Sequence, residues 1–313
     1  MLVYKPGKAG RLGSRETVKI QTVDIGIACS NNQLPGWWNG VFGSLMAEVS
    51  ANTGVHIRQL LAISSALPDH NKNNTVGALA WQAEQKGRMK RTDVNRNDIS
   101  NRFMSGGKEG PADWLFMIDD DTIPPHRTLS HLLSLEKDFV AGLYFNSSPP
   151  YNPIAYMKNR EGIGYYALYD YPHGALTQVD SVGMGCTLIH RSVFERIMDG
   201  HEVFSRPNGS LYPMHKSRLV EDKIKGLDEH GEEYVSGGYL VTKLDQLQEG
   251  DTRAWPFYAM EYGRTEDHHF CELAAAVGIR PWVDTRIHCE HMKTMPMTYE
   301  RYRKEINERN GLV

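Results

Sequence analysis

The sequence contains no apolar run approaching the roughly 20 residues that cross a bilayer as a helix, so it predicts no transmembrane segment. It also lacks a charge excess. Its 35 Lys and Arg against 38 Asp and Glu leave a formal net charge of -3, without the basic footprint of non-specific nucleic-acid binders. A nucleic-acid substrate is not thereby excluded. Cysteines are few: Cys29, Cys186, Cys271 and Cys289 are scattered and form no CxxC pair. That argues against a disulfide framework or a zinc knuckle and predicts free thiols in a reducing compartment. No internal repeat or low-complexity block occurs. The opening stretch MLVYKPGKAGRLGSRETVK has basic residues but no apolar core, so it does not read as a signal peptide. The expectation is a soluble, cytoplasmic protein.

What is present is an ordinary globular composition, 40% hydrophobic and 23% charged over 313 residues, enough for one large α/β domain or two small ones. Strand-like and helix-like segments alternate, which argues for an α/β layer structure. VDIGIACS reads as a buried strand ended by a polar turn at Ser30, and WNGVFGSLMAEVSANTG as a helix stopped by Gly54. HIRQLLAISS, DWLFMI and DFVAGLYF read as further strands, and HRTLSHLLSL as a short helix. SVGMGCTLIHRSVFERIM reads as a glycine-rich turn and strand entering a helix, and TEDHHFCELAAAVG as a helix ended by Gly278. The stretch 204–255 is polar and weakly periodic, an insertion outside the core pattern. The expected division is a flexible arm at 1–17, one domain at 18–300 and a tail at 301–313.

The chemistry-bearing stretch is FMIDDDTIPP, where Asp119, Asp120 and Asp121 follow an apolar strand. The carboxyl end of a strand is where open α/β sheets bind ligands. In an extended chain Asp119 and Asp121 face one side, where a hard cation such as Mg²⁺ or Mn²⁺ would relieve their repulsion. A solvated turn with helix-start acids is the competing reading. A phosphatase motif of the DxDxT type does not fit, since Ile123 stands where the threonine is needed. Downstream, Thr265 is placed to cap a helix with Glu266 and Asp267 in its first turn, which on its own is explained by the helix dipole. RIHCEHMK carries His288 and His291; HxxH lacks the spacing of a helical zinc site, but one imidazole can join carboxylate oxygens around Mn²⁺. Arg96 and Asn97 precede the acidic strand; Arg suits phosphate oxygens, and a solvated helix start is the alternative.

Taken in order, these segments resemble glycosyltransferases of the GT-A fold, family-2-like and of bacterial or phage type, over about residues 18–293. The resemblance implies a Rossmann-like mixed sheet flanked by helices, a nucleotide-diphosphate sugar as donor, and Mn²⁺ or Mg²⁺ as cofactor. It implies Asp121, Asp119 and His291 at the metal, with Asp119 also near the donor ribose. Asp120 is the variable middle position beside the donor site, expected to turn elsewhere. Glu266 and Asp267 match a pair in which one carboxylate is the general base of inverting members. Arg96, Asn97, Ser30 and Asp69 fall on the nucleotide side, and Gly183 and Gly185 flank a turn lining the sugar pocket. The acceptor (a glycan, a small molecule or a modified macromolecule) is expected partly in 204–255, with Trp255 and Tyr258 as candidate stacking platforms or ordinary packing aromatics. The SALPDHNKNN region departs from the family's usual acidic turn, and no QxxRW segment occurs, which argues against a processive synthase. Two other classes stay open: a nucleotidyltransferase with Asp-bound Mg²⁺, though no glycine-rich triphosphate loop is evident, and a non-catalytic sugar-nucleotide or glycan binder.

Overall fold

A computed structural model describes residues 21–29, 35–50, 54–63, 92–107, 110–146, 150–161, 164–205, 211–219, 233–236, 239–243, 255–260 and 264–292. The chain runs through β1 (Gln21–Ala28), α1 (Pro35–Ser50), β2 (Val55–Ile63), α2 (Thr92–Ser105), β3 (Trp114–Asp119), β4 (Thr122–Ile123), α3 (Thr128–Ser134) and β5 (Phe139–Leu143). Next come β6 (Ala155–Lys158), β7 (Tyr165–Ala167), β8 (Leu176–Gln178), β9 (Ser181–Val182), β10 (Cys186–His190) and α4 (Arg191–Gly200). Then follow β11 (His201–Ser205), β12 (Leu211–His215), α5 (Lys216–Leu219), β13 (Glu233–Ser236) and β14 (Tyr239–Lys243). The last elements are α6 (Glu266–Ala276), β15 (Trp282–His288) and β16 (Glu290–His291).

Seven strands form the main sheet in the order β2-β1-β3-β10-β5-β15-β8. β1, β2 and β3 are parallel, β10 runs against both β3 and β5, and β15 is parallel to β5. This is the mixed α/β sheet flanked by helices that the sequence predicts. Its central strands are mostly apolar because both faces are covered, β5 (FVAGL) throughout and β3 up to Asp119. On β3, Leu115 and Met117 join Ile99, Phe103, Phe194 and Phe270 on one face. Trp114, Phe116 and Ile118 join Val41, Leu129 and Leu132 on the other. Helices α2, α4 and α6 therefore cover one face, and α1 and α3 the other. Each large apolar side chain removed from water here contributes about 1.5–3 kcal/mol.

Two buried carboxylates are matched within this frame. Asp24 accepts from Arg58 Nε and Gln59 Nε2, each at 2.7 Å, and Asp284 from Arg286 and His131. All four cysteines are free and buried. The 204–255 insertion is not without order: its described residues supply β12, β13 and β14, which join β11 in a four-stranded antiparallel sheet, β12-β11-β14-β13.

The helix α2 is the least expected element. Its sequence, TDVNRNDISNRFMS, is polar, yet Asp93, Asn95, Arg96, Ile99, Ser100 and Phe103 are all buried. A solvated helix start is thus excluded for Arg96, which is 2% exposed. Asn97 and Asn101, one turn apart, each bond an amide group to the backbone of the segment 255–258. Asn97 donates to Tyr258 O at 2.7 Å and accepts from Tyr258 N at 2.8 Å. Asn101 does the same with Trp255 at 2.9 and 3.0 Å. Loss of one such pair leaves two backbone groups unmatched, at about 1–3 kcal/mol. Asn97→Ala is accordingly expected to lower stability by that amount in urea denaturation.

Candidate active site

The topology sends several chain ends to one edge of the sheet. β1, β3, β5 and β15 all finish there, and β10, running the other way, starts there. That edge collects Asp119–Asp121, Tyr144 and Phe145, Glu290–His291, and the turn of Gly183, Met184 and Gly185. α6 adds its first turn, Glu266 and Asp267.

Arg96 lies at the centre. Its Nη2 donates to Asp119 Oδ1 at 2.7 Å, and its Nη1 to Glu266 Oε1 at 2.8 Å and to Asp267 Oδ1. Thr92 Oγ1 adds a 2.6 Å bond to Glu266 Oε1. One guanidinium therefore gathers three carboxylates from distant parts of the chain. Burial opposes the charge on Arg96, but Asp119, Asp267 and Glu266 outweigh it and raise its pKa. With all three acids ionised, the cluster keeps two negative charges in excess. Burial pushes the Asp267 carboxyl well above the usual carboxylate range, against the pull of Arg96 and with Glu266 and Asp119 adding to the rise. Asp119 is raised likewise, by burial first, with Arg96 opposing and Asp121 reinforcing. The Asp267 side chain remains 20% exposed, so a reactant can reach it.

Asp121 belongs to a second group. The chain turns at Asp120–Asp121 instead of continuing extended, so Asp119 and Asp121 part company. Asp121 is 48% exposed, and its Oδ2 lies 3.0 Å from His291 Nε2. β4 and β16 pair across this point, His291 opposite Thr122. The other imidazole nitrogen, Nδ1, lies 2.7 Å from the Phe145 carbonyl. Donation to that carbonyl fixes the tautomer and turns the Nε2 lone pair toward the carboxylate. Such a pair is satisfied either by a proton on the imidazole or by a cation that both groups share. The Asp121 contact accordingly raises the His291 pKa.

The glycine turn joins the two groups. Asp119 N–H donates to Gly185 O at 3.2 Å, Gly185 N–H to the Tyr144 hydroxyl at 3.0 Å, and Met184 N–H to Asp267. A Cβ on Gly185 would lie 2.8 Å from Tyr144 Cζ and 2.9 Å from Asp119 Oδ2. At Gly183 it would meet the Tyr144 hydroxyl at 2.2 Å. What these glycines admit is the ring of Tyr144. Tyr144 is buried, edge-on to His291 at 5.7 Å. Burial, then Asp119 and Asp267, hold its hydroxyl protonated.

The structure thus brings Arg96, Asp119, Glu266, Asp267, Gly183 and Gly185 together, with Asp121 and His291 beside them. Asn97 faces away, to the backbone of Tyr258, and Asp120 is buried at 8% exposure. Ser30 and Asp69 lie outside the described residues. Of the two readings of Trp255 and Tyr258, packing holds and the stacking platform does not: at 6% and 1% exposure they are core residues, Tyr258 stacked on Phe270 at 4.8 Å. They offer no sugar platform, because α2 zips their backbone onto the core. Sequence reasoning missed Tyr144, Thr92 and the Phe145 carbonyl. The position of Tyr144 just past a strand's carboxyl end was the one available signal.

Among the described residues, no group of three His, Cys, Asp or Glu side chains is arranged to hold a metal ion. Asp121 and His291 form a pair, and Asp119 is taken by Arg96. A pair nevertheless fits Mg²⁺ or Mn²⁺, which are commonly held by one or two carboxylates together with substrate phosphates and water.

Solved structures resemble the chain loosely. The protein A197 from STIV aligns over 88% of this chain and 86% of its own, at 12% identity and a TM-score of 0.40. GalNAc-T7, solved with UDP, GalNAc and Mn²⁺, aligns over 88% of this chain and 45% of its own, at 9% identity and a TM-score of 0.40. A glycosyltransferase involved in the glycosylation of the major capsid of PBCV-1 aligns over 56% and 62%, at 9% identity and a TM-score of 0.27. No protein-family model matches the sequence, and no curated protein does. Among the described residues, no helix is long and apolar enough to cross a membrane.

Proposed function

We propose that this chain is a metal-dependent glycosyltransferase that moves a sugar from a nucleotide-diphosphate donor to an acceptor hydroxyl with inversion. The observation that carries the reading is the division of labour at one sheet edge. A half-exposed Asp121 beside His291 suits a cation on a diphosphate, and the more withdrawn acid cluster around Arg96 suits proton abstraction. Asp121 and His291 would hold Mn²⁺ or Mg²⁺, which supplies positive charge to the departing diphosphate.

Asp267 takes the acceptor's hydroxyl proton as the oxygen bonds to the anomeric carbon. The bond from that carbon to the diphosphate oxygen breaks, and the nucleoside diphosphate leaves with its electron pair. A carboxylate with a raised pKa is the better base near neutral pH. Arg96 holds Asp267 and Asp119 in place, and the Gly183–Gly185 turn lets Tyr144 pack behind them.

The test is thermal shift with UDP-, GDP- and dTDP-sugars, with and without Mn²⁺. One sugar nucleotide is expected to stabilise the protein only when Mn²⁺ is present. At a concentration of 100 Kd the gain is about 2.7 kcal/mol. Asp121→Ala should abolish the Mn²⁺-dependent part. A shift from nucleoside triphosphates alone would favour a nucleotidyltransferase, and an undiminished shift in EDTA would sink the metal role.

A further inference from the structure

With Trp255 and Tyr258 inside the core, the ground beside Asp267 is formed by other aromatics. The stretch 151–171 carries six tyrosines, Tyr151, Tyr156, Tyr165, Tyr166, Tyr169 and Tyr171. It forms β6 and β7 of a small sheet, β7-β6-β9, packed beside the first turns of α6. Tyr156 lies edge-on to His268 at 4.9 Å, and His268 directly follows Asp267. That imidazole is itself clamped, stacked on Tyr165 at 4.2 Å and bonded to Ser181 Oγ at 2.7 Å. Tyr156 is therefore set on a rigid support next to the base.

The exposed side of this ground is also aromatic. Tyr169 is 63% exposed and Tyr151 59% exposed. The Tyr169 hydroxyl donates to Asn152 Oδ1. Asn152 in turn belongs to the strip that pairs with 144–146: Asn146 N–H donates to Asn152 O at 2.8 Å, and Ile154 N–H to Tyr144 O at 2.9 Å. The strip thus runs beside Phe145, whose carbonyl orients His291. Tyr151 adopts a left-handed backbone, φ 55°, a strained state for a non-glycine residue that the surrounding structure must enforce.

We propose that Tyr151, Asn152, Tyr156 and Tyr169 form an acceptor subsite for the ring of a carbohydrate, held beside Asp267. The inference rests on the transferase reading above and names the acceptor class for it. Continuity with the base decides the occupant, since the group that delivers a hydroxyl to Asp267 has to cover the surface adjoining it. Tyrosine supplies a rigid apolar face with a hydroxyl at its rim. That matches a sugar ring, which has an apolar C–H face and a rim of hydroxyls. An anionic acceptor is less suited, because Lys158 and Arg264 beside this sheet are both paired with Glu272.

The experiment is saturation-transfer NMR on the full chain with methyl β-glucoside, methyl β-galactoside, methyl α-mannoside, lactose and maltose. A Ser/Thr hexapeptide serves as the protein-like probe. At least one saccharide is expected to receive saturation on its ring C–H protons. Tyr151→Ala/Tyr169→Ala should weaken its Kd about tenfold or more while keeping the wild-type melting temperature. Tyr166→Ala, on the opposite face of the sheet and 55% exposed, should bind as wild type does. Equal saccharide binding by the double variant, no saccharide bound, or binding of the hexapeptide alone would each overturn the subsite. Saccharide binding lost in the double variant, in a protein that no sugar nucleotide stabilises, would uphold the subsite and remove the transferase reading instead.

Discussion

Asp267→Asn is expected to leave sugar-nucleotide binding intact and to lower transfer by about 10²–10⁴-fold, the usual worth of a general base. The substitution keeps the shape of the side chain and a hydrogen-bonding oxygen for Met184 N–H and Arg96, so the frame around it persists. It removes only the capacity to accept a proton at neutral pH. The pH profile separates this from a structural effect. Burial raises the Asp267 pKa, so wild-type kcat/KM should climb with pH through an apparent pKa above the ordinary carboxylate range. The carboxylate works only when deprotonated, which makes this the acid limb. In Asp267→Asn that limb should vanish and the residual rate should be flat there. Full transfer by the variant would move the base to Glu266, and Glu266→Gln would then show the loss.

The parts of the fold legible in the sequence are those where burial is apolar. WLFMID, FVAGL and the α6 pattern declare themselves, because apolarity and its period are what a sequence shows directly. Gly278, at φ 80°, ends α6 region packing where the pattern places a stop. α2 escapes such reading. Its buried side includes Asp93, Asn95 and Arg96; Asn95 is matched by the Cys29 carbonyl, and Arg96 by carboxylates about 170 positions away. Periodicity carries no trace of a partner so remote. Tyr144 is hidden for the opposite reason. It extends an apolar strand and looks like one more core residue, until the turn before β10 brings Gly185 against its hydroxyl. Trp255 and Tyr258 stay open between platform and packing in the sequence, because nothing there shows that two asparagines on α2 hold their backbone against the core.

The candidate site divides along the same line. Position at a strand's carboxyl end made FMIDDDTIPP conspicuous, but spacing alone grouped Asp119 with Asp121. The turn at Asp120–Asp121 separates them, giving Asp119 to Arg96 and Asp121 to His291. Two neighbouring carboxylates thereby acquire different electrostatic settings. One is largely withdrawn beside a guanidinium, and the other is half-exposed beside an imidazole.

Replacing Arg96 by methionine is expected to be the most destabilising single change at this edge. The guanidinium side chain is 3% exposed and faces three carboxylates, of which Asp119 and Asp267 are about one-fifth exposed and Glu266 less. Breaking a buried ion pair from one side costs about 3–5 kcal/mol, because the remaining charge is left without compensation. Here three acids lose the same partner. Asp119 and Asp267, already raised by burial, lose the cation that opposes the rise, so their folded pKa values move further above the unfolded ones. A group raised in this way contributes stability below its unfolded pKa and loses it as pH rises toward the folded one. Urea denaturation should therefore find Arg96→Met weakest against wild type near pH 7.5, with the gap narrowing toward pH 4.5. Adding Asp119→Asn should recover part of the loss at pH 7.5, since one of the orphaned charges is gone. An Arg96→Met protein as stable as wild type at pH 7.5 would mean that the guanidinium does not balance the cluster.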